Sequence, residues 1–522
     1  MSSRDPASPA AQPTTAPAPA SSFPLDTPLL RFSPQPRDAW TLRQACEGTL
    51  IFGATGSGKT SGSGQAVAKA FLRAGFGGLV LCAKPEEADT WRDYARQTGR
   101  ENSLIVFDGT GQRRFNFLSY EARSSERLVT HNLVALFMRV IEATKGRQGG
   151  GDGDNSFWRD SVSRLLSNAF ALLDAAYGRV TLAGLTELVA TTAQTPAEVD
   201  TAAWREKSAC LAALKKAHEA PARALPLPDY RAISDYFLRE VPRMNDRTRG
   251  DVVATLTSLI NPFLTGYLRE LFCTSTNVVP EMTHEGAILV IDLSIKEHAE
   301  AGILAQHIFK YLWQRATERR AKVGDATRPV FLWADECQFF VSEYDNEFQS
   351  TARSARACTV YLTQNLPALY TRIGGRNPEH ATGALLGNFQ TAIFHQNTND
   401  ATNRWAAEMI GQVWQWVESH GESESIGESV SESQSSGGGS SSGQGGGSTS
   451  TNSSSSVTQG TSRTLGTSST RSRQVQYELL PSAFNGLRKG GEGDPPEAIA
   501  VRGGRLWALT GRSWLRCAFP QS

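Results

Sequence analysis

Along its length the chain alternates short apolar runs with longer stretches of helical period. Thr49–Phe52, Leu79–Ala83, Ser103–Phe107, Ala287–Leu293, Pro329–Ala334, Thr359–Leu362 and Thr391–Phe394 are apolar almost throughout. Runs this continuous suit strands of a parallel sheet covered on both faces. After the first run, Lys59–Ala74 carries Val67, Ala70, Phe71 and Ala74 at i, i+3, i+4 and i+7, one face of a helix. Leu304, Ile308 and Leu312 keep the same register ahead of Pro329. This β-α-β alternation predicts a doubly wound α/β domain over 31–119 and 281–420.

Between about 120 and 280 the alternation stops. Arg127–Glu142, Phe157–Ala176, Thr181–Ala193, Thr201–Ala220, Tyr230–Arg239 and Arg249–Leu271 all read as helices, so an all-α domain is expected as an insertion at 120–280. Its Gly-rich stretch Gly149–Asp154 reads as a mobile connection. Residues 1–30, rich in Pro, Ala, Ser and Thr, are expected to be a disordered tail. From Gly421 to Thr470, 30 of 50 residues are Ser or Gly and four are Ile, Leu or Val, so 421–474 is expected to be a second disordered tract. Apolar alternation returns in 475–522, which predicts a short strand pair packing on the α/β domain.

Composition narrows the function classes. Lys+Arg is 53 and Asp+Glu 52 over 522 residues, a net charge of +1 that argues against a wholly basic nucleic-acid surface but permits a local basic channel. Residues 203–249 hold ten Lys/Arg against six Asp/Glu, a mild excess on expected helices. No apolar run approaches the ~18 residues of a membrane-spanning helix. The N-terminus lacks a secretion signal pattern. Seven cysteines, none at metal-ligand spacing, fit a reduced cytosolic compartment, with Cys82, Cys337 and Cys358 read as core fillers. His307 and His395 read as structural. Metal-enzyme, Ser/His/Asp hydrolase and dinucleotide-oxidoreductase readings lack their motifs.

The chemistry concentrates in four places. Gly53-Ala54-Thr55-Gly56-Ser57-Gly58-Lys59-Thr60 fits G-x-x-x-x-G-K-[ST] between an expected strand and an expected helix, the context of a phosphate-binding P-loop. Its backbone N–H groups cradle phosphate, Lys59 reaches the β- and γ-phosphates of ATP, and Thr60 holds Mg²⁺. Val330–Ala334 followed by Asp335-Glu336 is a Walker B pattern, with Asp335 on Mg²⁺ and Glu336 activating the attacking water. Asp292, also at a strand end, lacks a following Glu and reads as structural. Gln364, after the next strand, is the candidate γ-phosphate sensor. Arg353 and Arg356, on an expected helix after Walker B, are candidates for an arginine finger reaching a neighbouring subunit.

Taken together and in order, these residues resemble the type IV secretion coupling proteins, the TraG/TraD-like ATPases of bacterial conjugation. Lys84-Pro85 resembles that family's Asp-Pro-Lys element with its Asp replaced, and Phe115-Asn116-Phe117-Leu118 its Asn-Pro-Leu element. Asn155-Ser156-Phe157-Trp158 resembles its Phe-Trp element, Asp335-Glu336 its acidic pair, and Asn388–Phe394 with Asp400-Ala401-Thr402 and Gly411 the close of its ATPase core. Arg353 precedes Gln364 by eleven residues, the family's spacing, which favours Arg353 over Arg356. The resemblance implies a RecA-like motor with an all-α domain, working as a homo-hexamer. It implies ATP hydrolysis that drives single-stranded DNA, with its relaxase, into a type IV secretion channel. The family usually has an N-terminal membrane anchor. Here none is expected, so attachment to the membrane would run through partner proteins. A related ring ATPase that handles protein substrates is the alternative.

Overall fold

The computed structural model describes residues 12–13, 22–124, 129–145, 152–320, 322–373, 377–439, 450–491 and 493–521. They divide into two units, Met1–Ala406 with Leu480–Ser522, and Ala407–Leu479.

In the first unit, β1 (Pro28–Arg31) and β2 (Ala39–Thr41) form a small antiparallel pair. The seven apolar runs become β3 (Thr49–Phe52), β4 (Gly77–Leu81), β5 (Leu104–Phe107), β6 (Ile288–Ile291), β7 (Val330–Ala334), β8 (Ala357–Thr363) and β9 (Thr391–His395). They pair in the order β5-β6-β4-β7-β8-β3-β9, all parallel. In the second unit, β10 (Gln412–Gly439) and β11 (Ser450–Tyr477) pair only with each other. Back in the first, β12 (Glu497–Arg502) and β13 (Trp514–Ala518) extend the main sheet beyond β9 in antiparallel sense, which makes nine strands.

The helices on this sheet include α1 (Gln65–Arg73), entered through a widened π-helical turn at Lys59–Gly64. Phe71 of α1 stacks on Phe331 of β7 at 5.5 Å, and Trp91 stacks on the same ring at 5.5 Å. Gly78 of β4 makes that layer possible, because a Cβ there would lie 2.5 Å from the Phe331 ring. Each such side chain, fully buried, stabilises the fold by about 1.5–3 kcal/mol.

The described part of 117–273 consists of helices joined by short turns, with no strand among the described residues. They include α2 (Val129–Lys145) and Asp152–Tyr177. Two expected helices are broken. Thr201–Ala220 stops at Ser208, whose hydroxyl accepts from Leu211 N and donates to Thr191 O, so it starts a new helix instead of continuing the old one. Arg249–Leu271 stops at Asn261-Pro262, where proline cannot supply the next N–H. Beyond the insertion come α3 (Ile295–Glu318) and α4 (Glu343–Thr351). Of the expected mobile connection at Gly149–Asp154, residues 149–151 lie outside the described residues and Asp152–Asp154 open the helix Asp152–Tyr177.

Two expectations of disorder need correction. The tail was bounded at residue 30, yet Phe23, Leu29 and Leu30 are core residues and β1 begins at Pro28. Phe23 N donates to Asp325 O, and the Phe23 ring lies 6.3 Å from Phe76. A few large apolar side chains are enough to anchor a segment whose average composition hides them. The earlier part of the tail lies mostly outside the described residues. The Ser/Gly tract is likewise ordered where described, as the β10–β11 ribbon, because its composition conceals a strict period of two.

Among the described residues, no helix is long and apolar enough to cross a membrane, and no group of His, Cys, Asp or Glu is placed to hold a metal ion on its own.

Candidate nucleotide site

The site forms where the parallel strands end. Gly53 N donates to Thr363 O of β8, and Ala54 N to Gln396 O beyond β9, so the loop is anchored to both neighbours of β3. Gly56 and Gly58 adopt positive φ, 73° and 87°, a conformation open to glycine. A Cβ on Gly58 would also meet Pro496 at 2.5 Å. Thr55 and Gly56 face solvent, while Ser57 and Lys59 are buried. Ser57 Oγ is buried with no hydrogen-bond partner. An open cleft of about 380 Å³ lies over the loop, lined by Gly56–Ser61 and by Asp93 and Tyr94.

Thr60 Oγ1 donates to Asp335 Oδ2 at 2.6 Å, so the two expected Mg²⁺ ligands already touch. Lys59 Nζ lies 3.5 Å from Glu336 Oε1 and 4.0 Å from Asp335 Oδ1. Asp335 Oδ1 also accepts from Glu336 N at 2.9 Å. That bond bends the chain sharply, and Glu336 takes a left-handed conformation with φ 52° and ψ 49°. For a non-glycine residue this costs about 1–3 kcal/mol, held here by the surrounding hydrogen bonds.

Glu336 is the hub. Gln364 Nε2 lies 3.3 Å from its Oε1, Gln338 Nε2 donates to its Oε2 at 2.9 Å, and Lys84 Nζ to its Oε1 at 3.2 Å. Burial alone would raise the pKa of this carboxyl. Lys59, Gln338, Lys84 and Gln364 outweigh it and pull the group down to about 2. Lys84 and Gln338 carry no site role in the sequence reading. Lys84 was visible only as part of a family element, and Gln338 had as its single signal a place two residues beyond the acidic pair.

The two arginines separate. Arg356 is buried, with positive φ, and its guanidinium donates to Phe23 O and Asp325, so it is a core strut. Arg353 lies past α4 in the turn that enters β8, not on the helix as expected. It is 60% exposed and 3.3 Å from Glu47. It sits where β8 begins, whereas Gln364 and the P-loop sit where β8 and β3 end. Seven residues of strand put about 20 Å between these ends.

Three other groups stand outside the hydrogen bonds of this cluster. Asp292 ends β6, two strands beyond β7, and is not among the groups that contact Thr60. His395 is buried between Ser63 Oγ at 2.7 Å and Glu497 O at 3.0 Å, and burial lowers its pKa to about 3. Cys82, Cys337 and Cys358 are buried free thiols.

The fold and these residues define a RecA-like P-loop NTPase with a helical insertion. Residues 329–459 match the family model described as the TraM recognition site of TraD and TraG, so the resemblance to TraG/TraD-like coupling proteins holds in sequence over that stretch. Among solved structures, the unbound monoclinic form of the bacterial conjugative coupling protein TrwBdeltaN70 matches with a TM-score of 0.56 and 12% identity, covering 97% of this chain and 90% of that one. The plasmid coupling protein TrwB in complex with ADP and Mg²⁺ matches with a TM-score of 0.55 and 12% identity, covering 93% and 87%. At that identity the match shows a shared fold. No curated protein matches the chain.

Proposed function

We propose that this chain is a coupling ATPase of conjugative DNA transfer. The observation that carries the reading is the convergence of Lys59, Thr60, Asp335, Glu336 and Gln364 at the strand ends beside an open cleft. ATP and Mg²⁺ fit this donor set. The buried Ser57 hydroxyl lacks a partner, and Thr60 with Asp335 offers the hard oxygen ligands that Mg²⁺ takes. Thr60 and Asp335 would hold Mg²⁺, which would supply neutralisation of the charge on the transferred phosphoryl group.

Lys59 then exchanges its carboxylate partners for phosphate oxygens. Glu336 loses one of the two cations holding it ionised, which moves its pKa upward and makes it a better base toward water. Gln364, already on Glu336, reads the state of that carboxylate. Arg353, exposed and far from its own P-loop, suits the site of a neighbouring subunit in a homo-hexameric ring. TrwB, solved with ADP and Mg²⁺ and with an ATP analogue, supports the nucleotide assignment. The chain's likeness to a conjugative coupling protein supports single-stranded DNA with its relaxase as cargo, and a type IV secretion channel as destination. Partner proteins would bring the chain to the inner face of the bacterial cytoplasmic membrane. The family model, a recognition site for TraM, supports a protein partner docking on 329–459.

The test is ATP hydrolysis with and without single-stranded DNA across protein concentration. Stimulation by DNA, with specific activity rising as copies assemble, is expected. Hydrolysis indifferent to DNA but raised by a protein substrate would favour the protein-handling alternative.

A further inference from the structure

The β10–β11 ribbon has a pattern that none of the motor chemistry uses. Its strands run 28 residues each, pair in unbroken register from Gln412↔Tyr477 to Gly439↔Ser450, and contain no proline. At ~3.3 Å per residue each is about 90 Å long. From 423 to 435 every odd position is Ser or Gly, and from 454 to 468 every even position is Ser, Thr or Gly. The register puts these on one face, where Ser433 meets Ser456 at 3.0 Å and Ser435 meets Ser454 at 3.2 Å. Over that stretch the large side chains, among them Glu424, Ile426, Val457 and Arg463, lie on the other face, which nearer the base of the ribbon carries Trp414 and Trp416. There Arg471 lies 3.4 Å from Glu418 and over the Trp416 ring at 5.1 Å, and Arg473 lies over Trp414 at 5.9 Å.

The charges are sorted by strand. β10 carries Glu418, Glu422, Glu424, Glu428 and Glu432 and no Lys or Arg; β11 carries Arg463, Arg471 and Arg473 and no Asp or Glu. One edge of the ribbon is therefore acidic and the other basic. Glu422, Glu428 and Glu432 stand opposite Thr467, Thr461 and Val457, so the acidic strand outnumbers its own basic partner.

A two-stranded ribbon is marginal alone, and each outer edge presents a row of outward N–H and C=O groups. Natural edges are blunted by proline, bulges or lysine. This ribbon has none of the three along its paired length. We propose that the ribbon pairs edge to edge with the ribbon of a second copy of this chain, the acidic β10 edge of one against the basic β11 edge of the next. Like edges repel, so the contact is head-to-tail. Contacts of that kind close into a ring when the rotation allows. In the hexamer proposed above, on which this last step rests, six ribbons make a twelve-stranded antiparallel barrel. The bulky face takes the roomier convex side, and the Ser/Thr/Gly face lines the lumen.

The test uses full-length protein in two preparations. One carries Ser429→Cys on β10; the other carries Thr458→Cys, Gly460→Cys or Ser462→Cys on β11. Oxidation of a mixture should give a covalent dimer that neither preparation gives alone. Dimer formation equally within single preparations, or in no mixture, overturns the proposal. As a second measurement, replacing 412–477 with a short linker should raise the midpoint concentration of assembly by about tenfold or more. An unchanged midpoint also overturns it. Hydrolysis on the same samples separates the two ideas: lost DNA stimulation with intact mixed cross-linking removes the motor reading and keeps the ribbon contact, and the reverse result does the opposite.

Discussion

Lys84 Nζ and Lys59 Nζ approach the same oxygen, Glu336 Oε1, at 3.2 and 3.5 Å. A residue three strands from the P-loop thus helps set the charge state of the base. Burial favours the neutral carboxyl, but Lys59, Gln338, Lys84 and Gln364 overcome it and depress the pKa from 4.5 to about 2. A depressed carboxyl contributes stability above its unfolded pKa and loses it as pH falls through the folded one, here between about 4.5 and 2. Replacing Lys84 by Met removes a cation, so Glu336 should titrate higher. The acidic limb of the pH–rate profile for ATP hydrolysis should move toward neutral pH. An unmoved limb would mean that Lys84 does not tune the base.

Lys59 and Glu336 should separate when stability and activity are both measured. Lys59 is buried against two carboxylates, 4.0 Å from Asp335 and 3.5 Å from Glu336. Lys59→Ala leaves both with less compensation and should destabilise the nucleotide-free protein by about 3 kcal/mol, the low end for a broken buried pair because Lys84 remains. Glu336→Gln removes the carboxylate whose ionised form the fold stabilises but leaves Lys59 beside Asp335, so it should destabilise the protein by less than Lys59→Ala does. Both variants should lose hydrolysis, the second by about 10²–10⁴. Equal melting temperatures for the two variants would contradict the buried-pair argument.

The sheet and the main chemistry could be read from the chain because their signals are local. Val330–Ala334 is apolar at every position and its acids follow at once; the P-loop is eight consecutive residues between a strand and a helix. Lys84 was less legible because its role depends on strand order, which places β4 beside β7, and Gln338 because its role depends on the left-handed turn at Glu336. Arg356 remains a candidate finger behind the favoured Arg353 in the sequence, and only its contact with Phe23 O shows it buried beneath a segment expected to be disordered. The ribbon was misread because composition averages over a window, whereas a strand alternates. Seen by parity, a Ser/Gly tract can have one small face and one face of Glu, Arg and Trp.

A second buried charge pair supports the loop that carries Gln338. Lys310 of α3 and Asp345 of α4 are both almost wholly buried and 2.5 Å apart. Asp345 also accepts from Tyr361 Oη at 2.8 Å and from Gln314 Nε2 at 2.7 Å, and Lys310 donates to Phe340 O. Either Lys310→Met or Asp345→Ala alone strands an uncompensated charge and should cost about 3–5 kcal/mol in chemical denaturation. The double variant Lys310→Met/Asp345→Asn should recover part of that loss. A double variant less stable than both singles would show that neither single leaves a charge stranded, against the buried-pair argument.

Arg353 lies where β8 begins, bound only on its exposed side to Glu47 at 3.3 Å, while its own P-loop lies at the other end of the sheet. An arginine so placed can complete a nucleotide site only in another copy. Arg353→Ala should therefore lower hydrolysis by about 10³ or more, the lower range for an arginine finger, without weakening nucleotide binding to the single chain. The decisive measurement is a mixture. Arg353→Ala copies keep an intact P-loop, and Lys59→Ala copies keep an intact Arg353. In a head-to-tail ring an intact P-loop sometimes faces an intact arginine, so an equal mixture of two nearly inactive proteins should regain about a quarter of the wild-type specific activity. If Arg353 acted within its own chain, no site in the mixture would hold both groups, and the mixture would stay as inactive as its parts.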